Sequence, residues 1–221
     1  MASLQKKIAK FILQSALKKP SLAYKYPIAV IDVETTGLDK DRHEIISFSA
    51  IKYNAVMRKE TVMSIKIRPL RIGMIDPNAV KINGYNEREW AGAPTGKEVH
   101  RRIKTFLNGC IVVGHNVQFD LKFLSAFFNQ LGASPPLIYR SIDTVTLAHE
   151  HLVPCGLESL SLDSIREFMG YAASPIHTAR QDARDCYRVY RTLSCASSTQ
   201  RLYWTLRHRI KEWRKHGNPT S

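Results

Sequence analysis

The chain has 221 residues, of which 44% are hydrophobic and 24% charged, and its formal net charge is +14. A chain of this length suits one α/β domain with short extensions, and none of its apolar runs reaches the ~18 residues that a membrane-spanning helix needs. The four cysteines, at 110, 155, 186 and 195, show no CxxC spacing, which excludes the common zinc and redox motifs and predicts reduced thiols in a cytoplasmic compartment. No secretory leader and no membrane association are expected.

The positive charge is concentrated at the two ends of the chain. Residues 1–26 contain six lysines and no acidic residue, and residues 194–221 contain six basic residues and one glutamate. A basic excess of this kind favours binding to a polyanion such as nucleic acid. Solvated basic surfaces that only keep the protein soluble are the alternative explanation.

The spacing of apolar residues predicts an α/β fold with a mixed central sheet flanked by helices. The first three strands are separated by short breaks, which favours an antiparallel meander. The predicted strands cover 28–34, 44–53, 60–68, 110–116 and 137–143. The predicted helices cover 76–85, 95–108, 118–132, 144–151, 159–169 and 178–195.

These elements define a core domain over 27–196, with a basic extension before it (1–26) and a basic amphipathic helix after it (197–221). Residues 4–17 repeat apolar side chains at helical spacing, which favours a helix that docks or binds nucleic acid over an organellar targeting segment. In the last helix, Leu202, Leu206, Ile210 and Trp213 form one stripe among basic residues. The role of this stripe is left open between four possibilities: packing on the core, binding nucleic acid, docking to a partner and lying on a membrane surface.

Two acidic residues follow the first buried strand, in the segment IAVIDVETTG over 28–37. Residues i and i+2 of a strand share a face, so Asp32 and Glu34 point the same way. Neighbouring carboxylates repel each other unless a positive charge lies between them, and a divalent cation with oxygen ligands is the simplest solution. A pair of surface acids at a strand end is the alternative.

Two further acidic residues are placed to meet this pair. Asp120 follows another apolar strand in GHNVQFD, in the first turn of a helix, and Asp182 follows His177 by five residues in HTARQD. Asp182 lies on or beside the buried stripe of its helix, where an unpaired acid is costly. The four acids can therefore converge at the carboxyl edge of the sheet.

The segments DVETTG, GHNVQFD and HTARQDA resemble, in order and spacing, the three motifs of the DEDDh family of 3′–5′ exonucleases. This family includes the proofreading epsilon subunit of bacterial DNA polymerase, ribonuclease T and oligoribonuclease. Residues 141–144 and 161–165 also resemble family segments. The resemblance implies a ribonuclease H-like fold, two Mg²⁺ or Mn²⁺ ions held by Asp32, Glu34, Asp120 and Asp182, and His177 as the general base.

The resemblance also implies contacts with the terminal nucleotide. Residues after the first acids and around the second motif are the expected substrate contacts: Thr35, Thr36, Leu38, His115, Asn116 and Phe119. Leu38 would be an apolar wedge against the base, whereas His115 and Asn116 could equally be scaffold. The alternative is a turn into loop 37–43 with Phe119 in the core. Relatives often have His-Gly where this chain has Asn83-Gly84, and in them that histidine usually helps to hold the substrate, so this chain departs from the family pattern here.

The function implied by the resemblance is metal-dependent hydrolysis of nucleic acid from a free 3′ end. We expect single-stranded DNA as the favoured substrate, nucleoside 5′-monophosphates as products, a two-metal mechanism, and a polymerase or other replication or repair partner bound through the basic ends. An RNA-trimming enzyme of the same family is one alternative. A non-catalytic nucleic-acid-binding scaffold with this fold is another.

Overall fold

The structure of the protein is a computed structural model that describes residues 26–54, 57, 59–171 and 178–216, with side chains as far as 213. The predicted helix over 4–17 therefore lies outside the described residues. The described chain forms two compact units. One contains residues 26–144 and 178–187, and the other contains residues 145–171 and 188–216. The predicted boundaries of the core domain, at 27 and 196, remain predictions.

The first unit is built on a five-stranded sheet with the strand order β3-β2-β1-β4-β5. Strand β1 pairs antiparallel with β2, which pairs antiparallel with β3, while β4 is parallel to both β1 and β5. The predicted mixed sheet, a three-strand meander extended by two parallel strands, is confirmed. The strands are β1 Ile28–Thr35, β2 Ile45–Asn54, β3 Lys59–Lys66, β4 Ile111–Gly114 and β5 Arg140–Asp143.

Eight helices are found in the described residues, and all but one correspond to predicted helices. They are α1 Pro77–Asn83, α2 Glu87–Trp90, α3 Gly96–Leu107, α4 Val117–Gln130, α5 Thr144–Leu152, α6 Leu162–Met169, α7 Ala179–Leu193 and α8 Ser198–His216. Helix α2 and two 3₁₀ turns, Ile72–Met74 and Val153–Cys155, were not predicted because segments this short carry no apolar period. The predicted strand 110–116 is shorter in the structure because Asn116 adopts the left-handed conformation, with φ 61°, and turns the chain into α4.

Strand β1 is the middle strand of the sheet, and most of its residues are buried. Its alternate residues Ala29, Ile31 and Val33 join a buried cluster that includes Ile103 of α3 and Phe128 of α4. The opposite face therefore carries the side chains between them, including Asp32 and Glu34. This alternation separates a fully apolar core on one side of the sheet from an acidic end on the other.

The second unit has its own core, to which α8 contributes Trp204. The residues of the predicted apolar stripe on α8 are exposed instead: Leu202, Leu206, Ile210 and Trp213 are 58, 50, 40 and 68% exposed. Among the described residues, no helix is long and apolar enough to cross a membrane.

Candidate active site

Three of the predicted acids meet at the end of β1. Asp32 and Glu34 come from one face of the strand, and Asp182 comes from the first turn of α7. Carboxylate oxygens of these three residues all lie within 4.8 Å of one another. Helix α7 is held in this position by its buried stripe, which includes Ala183 and Cys186.

The fourth acid, Asp120, is held beside the others by the backbone of β1. Strand β1 continues beyond Val30, its last residue paired with β4, and the N–H of Val33 donates to Asp120 Oδ1 at 3.0 Å. Asp120 is 4% exposed and lies in the first turn of α4. One carboxylate oxygen of Asp120 therefore accepts a hydrogen bond from the strand backbone. This contact fixes the side chain of Asp120 next to Asp32 and Glu34, which flank Val33.

The acids are poorly solvated, and this raises the pKa values of their carboxyl groups. Burial raises the pKa of Asp32 well above its ordinary value, and the charges of Asp120, Glu34 and Asp182 raise it further. Burial, followed by the charge of Asp182, raises the pKa of Glu34 to about 7. The acids thus resist being ionised together unless a cation compensates their charge.

Asp120 follows the same pattern. Burial raises its pKa to about 8, the charges of Asp143 and Glu34 add to the effect, and the hydrogen bond from Val33 opposes it. A set of carboxylate oxygens at this spacing suits a hard divalent cation, which prefers oxygen ligands and cancels their charge. The donor set therefore fits the use of divalent metal by this site.

Asp143, at the end of β5, is a residue for which the sequence analysis assigned no role. Its carboxylate accepts hydrogen bonds from the N–H groups of Asn116 and Val117, at 3.0 and 3.1 Å. It thereby caps the start of α4, the helix that carries Asp120. The available signal was an acid that ends a predicted strand within a segment resembling the family.

Thr35 and Thr36, two of the predicted substrate contacts, use their hydroxyl groups to shape the loop after β1. Thr35 Oγ1 donates to the carbonyl of Gly37 at 2.7 Å, and Thr36 Oγ1 accepts from the N–H of Glu44 at 2.9 Å. A side chain at position 37 would have its Cβ 2.5 Å from the imidazole of His43, so glycine at this position allows the imidazole to approach the loop closely. Leu38 is 80% exposed beside this loop. Its predicted role as a wedge stays a prediction.

The residues near the second motif have mixed surroundings. The Nδ1 atom of His115 lies 3.0 Å from the hydroxyl of Thr144, which also donates to the carbonyl of Gly114. Asn116 is exposed, and the half-buried Phe119 packs on Phe123 with ring centroids 4.8 Å apart. Their contacts with a substrate stay predictions. His177, the predicted base, lies outside the described residues.

A mixed sheet in this strand order, with carboxylates converging at the end of its central strand, defines a nuclease of the ribonuclease H-like class. The chain belongs to the exonuclease family, whose model, described as "Exonuclease", matches residues 29–190. The chain is thus a 3′–5′ exonuclease, a phosphodiester hydrolase that acts on nucleic acid, and the assignment made from its three motifs is confirmed.

Relatives of known name support the same family. The chain is 30% identical to the DNA polymerase III subunit epsilon of Aquifex aeolicus over 155 residues. This region covers 70% of this chain and 73% of that protein. It is 27% identical over 162 residues to the epsilon subunit of Treponema pallidum, covering 73% and 74%. It is also 33% identical to the PolC-type DNA polymerase III of Thermotoga maritima, over 73% of this chain and 11% of that one.

Solved structures share the fold. An Escherichia coli exonuclease I in complex with single-stranded DNA superposes with a TM-score of 0.68 and 19% identity, over 81% of this chain and 42% of that chain. Exonuclease I from Methylocaldum szegediense gives a TM-score of 0.65 and 20% identity, over 80% and 42%. The predicted ribonuclease H-like fold is therefore confirmed.

Proposed function

We propose that this chain removes nucleotides one at a time from the 3′ end of single-stranded DNA and releases nucleoside 5′-monophosphates. The observation that carries the proposal is the meeting of Asp32, Glu34 and Asp182 within 4.8 Å. Asp120 is held beside them by Val33. A catalytically inactive scaffold would have no need to keep these mutually repelling groups together.

In this proposal the four carboxylates hold two Mg²⁺ or Mn²⁺ ions. Bound divalent ions would neutralise negative charge on the phosphodiester and make a water molecule more acidic. Asp120 would contribute one oxygen, since its Oδ1 accepts a hydrogen bond from the N–H of Val33. His177 takes the proton of the attacking water, since an imidazole with an ordinary pKa near ~6.5 is half-ionised close to neutral pH.

The preference for DNA is supported by the relatives, which are subunits or parts of DNA polymerase III, and by the exonuclease I structure with bound single-stranded DNA. The net charge of +14 suits a polyanionic substrate. The same relatives support a polymerase as a partner of this chain. The basic residues of 1–26 and 197–221 are our candidates for that contact.

A nuclease assay with labelled oligonucleotides tests the proposal. Single-stranded DNA, double-stranded DNA and single-stranded RNA, each labelled at the 5′ end, are incubated with Mg²⁺, Mn²⁺ or EDTA. We expect a ladder shortened from the 3′ end, fastest on single-stranded DNA and abolished by EDTA, with 5′-monophosphates as products. Immediate release of the 5′ label, or faster cleavage of RNA, would contradict the proposal.

Paired variants separate the proposed site from contaminating activity. Asp182→Asn removes one proposed ligand charge, and Glu89→Gln removes a charge from an exposed ion pair with Lys66. We expect the first variant to lose activity and the second to keep it. Equal activity in both would remove Asp182 from the mechanism.

A further inference from the structure

The pairing of β1 with β2 is irregular directly after Glu34. Glu34 pairs with Ser47, but the next residue, Thr35, pairs with Ile45, so Ile46 is passed over in the register. The extra residue, Ile46, lies in β2 and makes a β-bulge, which bends the bulged strand and increases the local twist of the pair. The support that β2 gives to the segment of β1 carrying Glu34 therefore depends on how this bulge is held.

The side chain of Asn83, at the end of α1, contacts the bulge directly. Its Nδ2 donates to the carbonyl of Thr35 at 2.9 Å, and its Oδ1 accepts from the N–H of Tyr85 at 3.0 Å. The second contact fixes which end of the amide faces the strand. Gly84 makes this arrangement possible, because its left-handed conformation, with φ 67°, reverses the chain directly after α1.

A second side chain of the same segment holds the opposite strand. Trp90 Nε1 donates to the carbonyl of Ile46, the residue passed over in the register, at 2.8 Å. Trp90 is buried, and its ring lies 5.2 Å from that of Tyr85. The segment from 83 to 90 thus donates one side-chain hydrogen bond to each strand of the bulge.

We infer that Asn83 is a positioning residue that, together with Trp90, holds the bulge so that Glu34 stays turned toward Asp32 and Asp182. This inference rests on the proposed function, because it assumes that these three carboxylates bind divalent metal. It differs from the substrate contact that the resemblance implies for a histidine at this position. Asn83 acts through the backbone of Thr35 and does not need the nucleic acid.

The chemistry of the amide explains why asparagine suits this position. It offers a donor to the Thr35 carbonyl and an acceptor to the Tyr85 N–H on neighbouring atoms. Alanine would leave both groups without this partner. Aspartate would place a second acceptor against the Thr35 carbonyl, and we expect Asn83→Asp to be worse than Asn83→Ala.

The test measures metal binding to the full chain without substrate. Calorimetric titration with Mn²⁺ compares the wild type with Asn83→Ala, Asn83→Asp and a control, Asn108→Ala. Asn108 lies outside the segment 83–90 and accepts a similar hydrogen bond from the N–H of Leu137, at 2.9 Å. Loss of a group that orients ligands typically costs about 10- to 100-fold in metal affinity. We expect about a 10-fold loss for Asn83→Ala, a larger loss for Asn83→Asp and wild-type affinity for Asn108→Ala.

Kinetics and a conservative variant complete the test. At limiting Mn²⁺ we expect Asn83→Ala to have a reduced kcat with a nearly unchanged KM for a single-stranded oligonucleotide, and excess Mn²⁺ should restore the rate. Trp90→Phe keeps an aromatic ring but removes the side-chain donor to the Ile46 carbonyl, which still accepts from the N–H of Ile67. It should weaken Mn²⁺ binding in the same direction even if an Asn83 variant fails to fold.

Three results would overturn the inference in distinguishable ways. If the wild type binds Mn²⁺ and Asn83→Ala binds it equally well, Asn83 does not position the ligands. If only the KM for the oligonucleotide rises, Asn83 contacts substrate instead. If the wild type itself binds no Mn²⁺, the proposed metal-dependent function fails along with the inference.

Discussion

Replacing Glu34 with glutamine should stabilise the metal-free protein at alkaline pH. The pKa of Glu34 is about 7 in the folded chain against an ordinary 4.5, because burial and then the charge of Asp182 oppose its ionisation. Between these two values the unfolded chain binds fewer protons than the folded chain. The free energy of unfolding therefore falls as pH rises from about 4.5 to about 7.

The size of the effect follows from this difference in pKa. Each unit of pKa difference corresponds to about 1.4 kcal/mol, so ionising Glu34 in the folded state costs about 3 kcal/mol at pH 8. At pH 5 the folded group is still protonated and the cost is below about 1 kcal/mol. Glutamine keeps the shape and carries no charge, so Glu34→Gln should gain about 3 kcal/mol at pH 8 and little at pH 5.

Thermal unfolding in EDTA measures this gain. For a chain of this size about 3 kcal/mol corresponds to roughly 6–12 °C in Tm, which should be seen at pH 8 and shrink steadily toward pH 5. Mn²⁺ should narrow this difference in stability. A ligand at 100 times its Kd stabilises the wild type by about 2.7 kcal/mol, whereas the variant has lost one proposed ligand.

Glu98 provides a control with the opposite sign. Its pKa is lowered, first by the hydrogen bond from the Thr95 N–H and then by that from the Thr95 hydroxyl, so its charged form is favoured in the folded state. Glu98→Gln should therefore lower stability at pH 8. The reasoning fails if Glu34→Gln is no more stable than the wild type in EDTA at pH 8. It also fails if the gain is equal at pH 5, since it would then not come from ionisation.

Three other predictions follow from the proposed mechanism and the charged ends. Asp32→Ala and Asp182→Ala should each lower turnover by several orders of magnitude with the circular dichroism unchanged; turnover like the wild type in either one would refute the assignment. His177→Ala should lose about 10²–10⁴-fold in rate and the acidic limb of the pH profile, and retention of that limb would mean another base. Deleting residues 1–23 should leave the rate on a trinucleotide unchanged but weaken binding to a 20-mer. The slope of log binding constant against log salt concentration should become shallower by about 0.7 for each lysine that had contacted phosphate. Equal slopes would assign the extension to a protein partner or to solubility. Residues 197–221 are kept because Trp204 is buried in the core of its unit.

The elements that sequence reasoning predicted well are those with a local period. Strand β1 is buried apart from the half-buried Asp32 and Glu34, and these two residues share a face because side chains of a strand alternate. The apolar period of α7 placed Asp182 on or beside a buried stripe, and in the structure Ala183 and Cys186 of this stripe are buried. These features depend on neighbouring residues only, and the spacing of the three motifs then indicated the family.

The apolar stripe of α8 shows the limit of this reasoning. Its period correctly predicted the helix, but the period cannot tell which face finds a partner. In the structure Trp204 is 5% exposed and packs into a core, while Leu206 and Trp213 on the stripe are 50 and 68% exposed. Burial is decided by the surfaces that other elements bring to a helix, and a single helix contains no information about them.

The sequence by itself determined which acidic residues form the candidate site, on which elements they lie and which family they indicate. The tertiary structure decided how these residues are held. Asn83 reaches the carbonyl of Thr35 across 48 residues of chain, and Asp143 caps the helix of Asp120 from 27 residues beyond Asn116. Such contacts depend on strand register, on one bulge and on the packing of distant segments. They leave no periodic pattern in the local sequence, because they form only when the whole sheet is assembled.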